Sequence, residues 1–144
     1  MSATPSARRR RKYVGIDPGR SKCGFAVVYD DGERGCVDVV PTSEIAARIE
    51  REVLEGDIEA FCVGDATSSR AIVELCESRW PDIPRHIVDE TNTSLEARRL
   101  FFADHPPKGL WRLVPRGLLV PKGPIDGYAA VLIVERYRRN SGRI

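Results

Sequence analysis

Apolar residues in this chain come first in short unbroken runs and later at helical spacing. Tyr13-Val14-Gly15-Ile16 leads into Asp17 and reads as a buried strand over Lys12 to Asp17. Pro18 to Lys22 is a turn. Cys23 to Tyr29 forms a second strand, with Phe25, Val27 and Val28 as its apolar positions. Asp30-Asp31-Gly32-Glu33 has the chemistry of a tight hairpin, so Cys36 to Val40 returns as a third strand, antiparallel to the second.

The period then changes. Ile45, Ile49 and Val53 repeat every fourth residue and define one face of a helix. Thr42 or Ser43 is the expected cap, Glu44 suits the first turn, and Gly56 is the expected stop. Ala60 to Gly64 is a buried strand, Ser69 to Ser78 a helix, and Arg85 to Val88 a further strand. Thr93-Ser94-Leu95-Glu96 fits a capping box opening a helix to about Ala103.

Pro106 to Pro124 holds five prolines and three glycines among Leu110, Trp111, Leu113, Leu118 and Leu119, which suggests a functional or partner-contacting loop. Pro124 suits the first turn of a last helix reaching about Arg138. The order β-β-β-α-β-α-β-α, loop, α predicts an α/β domain: a five-stranded mixed sheet, meander plus parallel strands, with helices on both faces. The expected division is a disordered basic tail over 1–11 and one domain over 12–140.

Composition narrows the class. At 144 residues the chain suits one core. No apolar run approaches the roughly 18–20 residues of a membrane span, and no apolar segment of signal-peptide type follows the basic start. Cys23, Cys36, Cys62 and Cys76 form no CxxC pair and read as reduced thiols, which fits a cytoplasmic protein. Net charge is +2, unevenly spread. Arg8, Arg9, Arg10, Arg11 and Lys12 stand without an acid, leaving 18 basic and 21 acidic residues beyond them. That run suits either a polyanion or plain solvation, and so do Arg136, Arg138, Arg139 and Arg143 near the other end.

The candidate chemistry is three carboxylates: Asp17 at the end of the first strand, Glu90 after the fifth, and Asp126 at the start of the last helix. Gathered by folding, such groups repel one another unless a divalent cation lies among them. Taken singly, Asp17 also reads as a turn aspartate and Asp126 as a helix-start charge.

These motifs, in this order, resemble the YqgF family, also called RuvX, of RNase H-like, RuvC-related nucleases. Val14 to Val27 is similar to its first strand, metal-ligand aspartate and hairpin. Val88-Asp89-Glu90-Thr91-Asn92-Thr93-Ser94-Leu95-Glu96-Ala97 resembles its DE-x-x-[ST]-[TS]-x-EA segment, and Ile125 to Ile133 its final aspartate helix. The resemblance covers about residues 12–139. Two features depart from it. Gly64-Asp65-Ala66-Thr67 replaces a Gly-Leu-Pro loop, and Asp-Pro-Gly is closer to RuvC resolvases. Asp65 stands where those resolvases place a glutamate, which makes it a candidate extra ligand. Ala129 stands where they carry a further aspartate.

The resemblance implies an RNase H-like fold and a hydrolase using Mg²⁺ or Mn²⁺, as two ions, held by Asp17, Glu90 and Asp126. The implied reaction is phosphodiester hydrolysis in structured nucleic acid: 5′-end processing of precursor 16S rRNA in ribosome biogenesis, or cleavage of a Holliday junction. Either a monomer or a homodimer fits, with no membrane partner. Arg20, Lys22, Ser69, Arg70, Arg98 and Lys122 are the candidate nucleic-acid contacts. Gly19 and Gly24 fit close phosphate approach or ordinary turns. Thr67 and Ser68 fit a helix-terminal phosphate site or capping. Thr91 and Thr93 are weaker candidates, Thr93 also serving as a cap. Trp111 fits base stacking or packing. Two other classes remain: a non-catalytic nucleic-acid-binding module of the same fold, and an actin-like ATPase, for whose two-domain clamp this chain is short.

Overall fold

The structure, a computed structural model, describes residues 10–89, 93–106, 113 and 126–142, with main chain alone for Thr93 and Ser94. Glu90, Thr91, Trp111 and Lys122 lie outside them, as does most of the proline-rich segment. The strands are β1 (Lys12–Asp17), β2 (Lys22–Tyr29), β3 (Arg34–Pro41), β4 (Ile58–Gly64) and β5 (Arg85–Val88). The helices are α1 (Ile45–Glu55), α2 (Ser69–Arg79), α3 (Thr93–Asp104) and α4 (Asp126–Asn140). The sheet order is β3-β2-β1-β4-β5. β1, β2 and β3 form an antiparallel meander, while β4 and β5 run parallel to β1. This is the mixed five-stranded sheet expected from the sequence.

Alternation along the strands explains the two layers. Val14, Ile16, Phe25, Val27, Phe61 and Val63 pack with Ile45 and Ile49 of α1 and with Ile72 and Cys76 of α2. The residues between them (Tyr13, Ala26, Val28, Ala60 and Cys62) pack with Ala130, Val131, Ile133 and Val134 of α4. The opposite side of α4 is covered by Ala97, Phe101 and Phe102 of α3, which meet Tyr128 and Ala129. Covered on two sides, α4 is apolar around most of its circumference.

The β2–β3 turn closes as its residues dictate. Gly32 takes φ +92°, the left-handed conformation that suits glycine, and its N–H donates to the Tyr29 carbonyl at 2.9 Å. The Asp31 carboxylate accepts from the Glu33 N–H at 2.9 Å.

The entry and exit of α1 differ from expectation. Thr42–Glu44 forms a 3₁₀ turn, and no side chain caps α1 at Glu44. The Thr42 hydroxyl instead donates to the Gly19 carbonyl at 2.9 Å. Gly56 ends the helix in extended backbone, φ 176°, which any residue adopts. Charges also sit where hydropathy does not place them. Lys12 is buried, its Nζ 2.9 Å from Glu52 Oε1 of α1. Arg10 pairs with Asp31 and Glu33, and Arg11 with Glu59. These three members of the basic run are thus engaged within the fold.

None of the four cysteines is in a disulfide, and three of them are buried. No helix among the described residues is long and apolar enough to cross a membrane.

Candidate active site

Asp17 and Asp126 are brought together by a glycine. Asp17 pairs with Gly24 across the β1–β2 ladder, so both Cβ directions lie on one face of the sheet. That face receives α4. A Cβ built on Gly24 would lie 2.5 Å from the Asp126 carbonyl carbon and 3.1 Å from Asp17 Cβ. Real side chains do not approach so closely, so only glycine lets the first residue of α4 settle against β2 beside Asp17. Gly15, two residues before Asp17, gives the same access further along, under Ala130 and Val134. Gly127 does so from the helix side, lying against the Asp38 main chain of β3.

Lys22 completes the local arrangement. Two residues before Gly24 on β2, it projects to the same face, with its Nζ 3.6 Å from Asp126 Oδ2. Lys22 and Arg20 are both exposed. Thr42 fastens the loop that carries them twice: its N–H donates to the Ser21 carbonyl at 2.9 Å, and its hydroxyl holds Gly19.

The first turn of α4 is held from the side as well. Tyr128 donates its hydroxyl to Asp104 Oδ2 at 3.0 Å, and Arg34 of β3 donates to both oxygens of the same carboxylate, at 3.1 and 3.3 Å. Burial opposes ionisation of Asp104, but hydrogen bonds from Arg34 and Tyr128 prevail and hold its carboxyl below the ordinary range. Burial, then the bond to Asp104, raises the Tyr128 hydroxyl, keeping it a donor. Sequence reasoning gave this trio no role; its members are 70 and 24 residues apart.

The other predicted residues are distributed as follows. Asp65 is exposed just beyond β4, with its N–H donating to the Val88 carbonyl at 2.8 Å. Because Ile16 pairs with Val63, the register brings Gly64 level with Asp17 and leaves Asp65 one residue beyond, at the end of the strand next to β1. Asp89 continues from β5, one strand further out, and its carbonyl accepts from Arg136 of α4 at 2.6 Å. Arg136 therefore tethers the main chain next to Glu90. Ser69 is buried and its N–H is engaged by the Ala66 carbonyl, whereas Arg70 is exposed and pairs with Glu74. Arg98 is half-buried on α3. Arg138 is buried and donates to the Asp30 carbonyl. His86 stacks on Tyr137 and His105 on Phe101. Among the described residues, no three His, Cys, Asp or Glu side chains are grouped so as to hold a metal ion.

No protein-family model and no curated protein matches the chain. Solved structures do. Thermus thermophilus RuvC in complex with a Holliday junction substrate matches at a TM-score of 0.54 and 18% identity, over 90% of this chain and 96% of that one. A second Thermus thermophilus RuvC structure matches at a TM-score of 0.47 and 20% identity, with the same coverage. A ROK family protein from Streptococcus pneumoniae, in complex with sucrose, matches at a TM-score of 0.42 and 17% identity, over 66% of this chain. The chain spans well under half the length of the ROK proteins it matches, 39% in that case. The likeness to the RuvC–junction complex over nearly the whole of both chains shows a shared RNase H-like fold.

Proposed function

We propose that this chain is a divalent-metal-dependent nuclease acting on structured nucleic acid. The observation that carries the reading is the meeting of Asp17 and Asp126 at Gly24, with a cationic side chain already drawn to Asp126. Both donors are hard carboxylate oxygens, the kind that Mg²⁺ and Mn²⁺ prefer. Bound there, one or two such ions would supply an activated water and stabilise the leaving oxygen of a phosphodiester.

The chain's own residues do the positioning. β1 presents Asp17 and the first turn of α4 presents Asp126. Gly24 lets the Asp126 main chain settle beside Asp17. Arg34, Asp104 and Tyr128 keep that turn in place, and Thr42 steadies the β1–β2 turn, from which Arg20, with Lys22 at the start of β2, would hold the phosphate backbone. Asp65 from beyond β4 and Glu90 from beyond β5 are the two candidates for a third donor. β4 is the direct neighbour of β1, which brings Asp65 near, but alternation from Val63 directs it to the face opposite Asp17; the motif resemblance favours Glu90.

Two substrates follow from two sources. Precursor 16S rRNA comes from the resemblance to the YqgF family, and a four-way DNA junction from the likeness to the Thermus thermophilus RuvC complex. Cleavage of matched precursor rRNA, single-stranded RNA and four-way junction with Mg²⁺ or Mn²⁺ tests the reading. Wild type is expected to cut one structured substrate and Asp126→Asn none. Equal cutting by the mutant would assign the activity to a contaminant. Uptake of no metal and cleavage of no substrate would leave the binding-module reading.

A further inference from the structure

The Lys22–Asp126 pair carries an inference that rests on the nuclease reading and goes beyond it. The Lys22 main chain is anchored, since the residue before it accepts from the Thr42 N–H. Its head group is not confined: the side chain is 64% exposed, on a flexible four-carbon stem. Asp126 is 35% exposed, so an ion from solvent can reach it. An ammonium 3.6 Å from the Asp126 carboxylate and a divalent ion on that carboxylate compete for the same negative charge. Phosphate oxygens offer the ammonium another partner.

We propose that Lys22 is a built-in counter-ion of Asp126, weakening divalent-cation uptake until a polyanion draws it away. Metal and nucleic acid then favour each other's binding, because coupling between two ligands is reciprocal. Asp17 and Asp126 are spared mutual repulsion while metal is absent, and the site loads most fully when substrate is present.

The test is Mn²⁺ binding without nucleic acid, read from the electron paramagnetic resonance signal of free Mn²⁺. Lys22→Met is expected to tighten binding about two- to fivefold, the range of a solvent-screened pair. Lys22→Glu is expected to tighten it further, and Lys22→Arg to leave it near wild type. In an Asp126→Asn background the Lys22→Met effect should largely vanish, as the cycle of the two substitutions isolates their interaction. Wild-type binding that Lys22→Met leaves unchanged or weakens overturns the counter-ion role alone. An undiminished Lys22→Met gain in the Asp126→Asn background also overturns it. Absence of Mn²⁺ binding in wild type and every variant overturns the metal site and the counter-ion role together.

Discussion

Gly24 lies so close against Asp126 that a single added methyl would overlap the Asp126 carbonyl. Gly24→Ala should therefore push the first turn of α4 off the sheet and away from Asp17. The expected destabilisation is about 1–3 kcal/mol, typical of overpacking, with a loss of cleavage far larger than that fraction unfolded explains. Urea unfolding and turnover measured on the same preparation separate the two effects.

The Lys12–Glu52 pair joins β1 to α1 inside the protein, with side chains only 5% and 9% exposed. Removing Glu52 strands the buried Lys12 ammonium, whereas removing Lys12 leaves Glu52 with Arg48 of α1, 3.9 Å away. Glu52→Leu alone should cost roughly 3–5 kcal/mol and Lys12→Met less, and the double substitution should recover most of the Glu52→Leu loss. Urea midpoints of the four proteins complete the cycle. Additive losses would contradict the pairing.

Asp104→Asn tests the clasp on α4. The Asp104 side chain is about a third exposed, so its ion pair should contribute no more than about 1 kcal/mol. A carboxyl held below its unfolded value stabilises the fold above that unfolded value, about 3.9, and loses its contribution as pH falls through the lower folded value. The gap in melting temperature between wild type and Asp104→Asn should thus be steady from neutral pH down to about 4, then close with further acid. A gap that widened in acid would contradict the Arg34 and Tyr128 bonds.

Thr42→Val retains the shape and the N–H bond to Ser21 but deletes the hydroxyl bond to Gly19. A loss of about 1 kcal/mol is expected, together with a rise in KM for nucleic acid, because the loop bearing Arg20 and Lys22 loosens. Kinetics that change in kcat alone would point to a different role for that loop.

Thiol labelling reads the packing of the two layers. Burial pushes the Cys76 thiol up to about 11, with Arg85 opposing it. Cys23 and Cys62 are fully covered, while Cys36 is half-buried and accepts from Arg48 at 3.3 Å. With Ellman's reagent at pH 8, Cys36 should react first and the other three only on unfolding.

What was legible in the sequence, and what was not, follows from the range of each interaction. β5 runs over Arg85–Val88 as expected, and α2 and α4 extend only one or two residues beyond expectation, because apolar period and turn residues are local signals. The carboxylate ends of β1 and α4 were legible for the same reason. Their meeting at Gly24 was not, since it depends on strand register and on a helix 102 residues further along. The burial of Lys12 and Glu52 as an ion pair was not legible either, since each is neutralised by a partner 40 residues away. Thr42 read as a helix cap, yet a carbonyl in the preceding loop takes its hydroxyl. Trp80, beyond the expected end of α2, fills the core against Phe61 and donates its indole N–H to Glu50.

The most direct measurement is the anomalous difference density of a crystal soaked in Mn²⁺. A peak within coordinating distance of both the Asp17 and Asp126 carboxylates, absent from Asp17→Asn crystals, is the expected result. Ordered carboxylates turned apart, with no manganese between them at saturating soak, would contradict the metal-dependent mechanism.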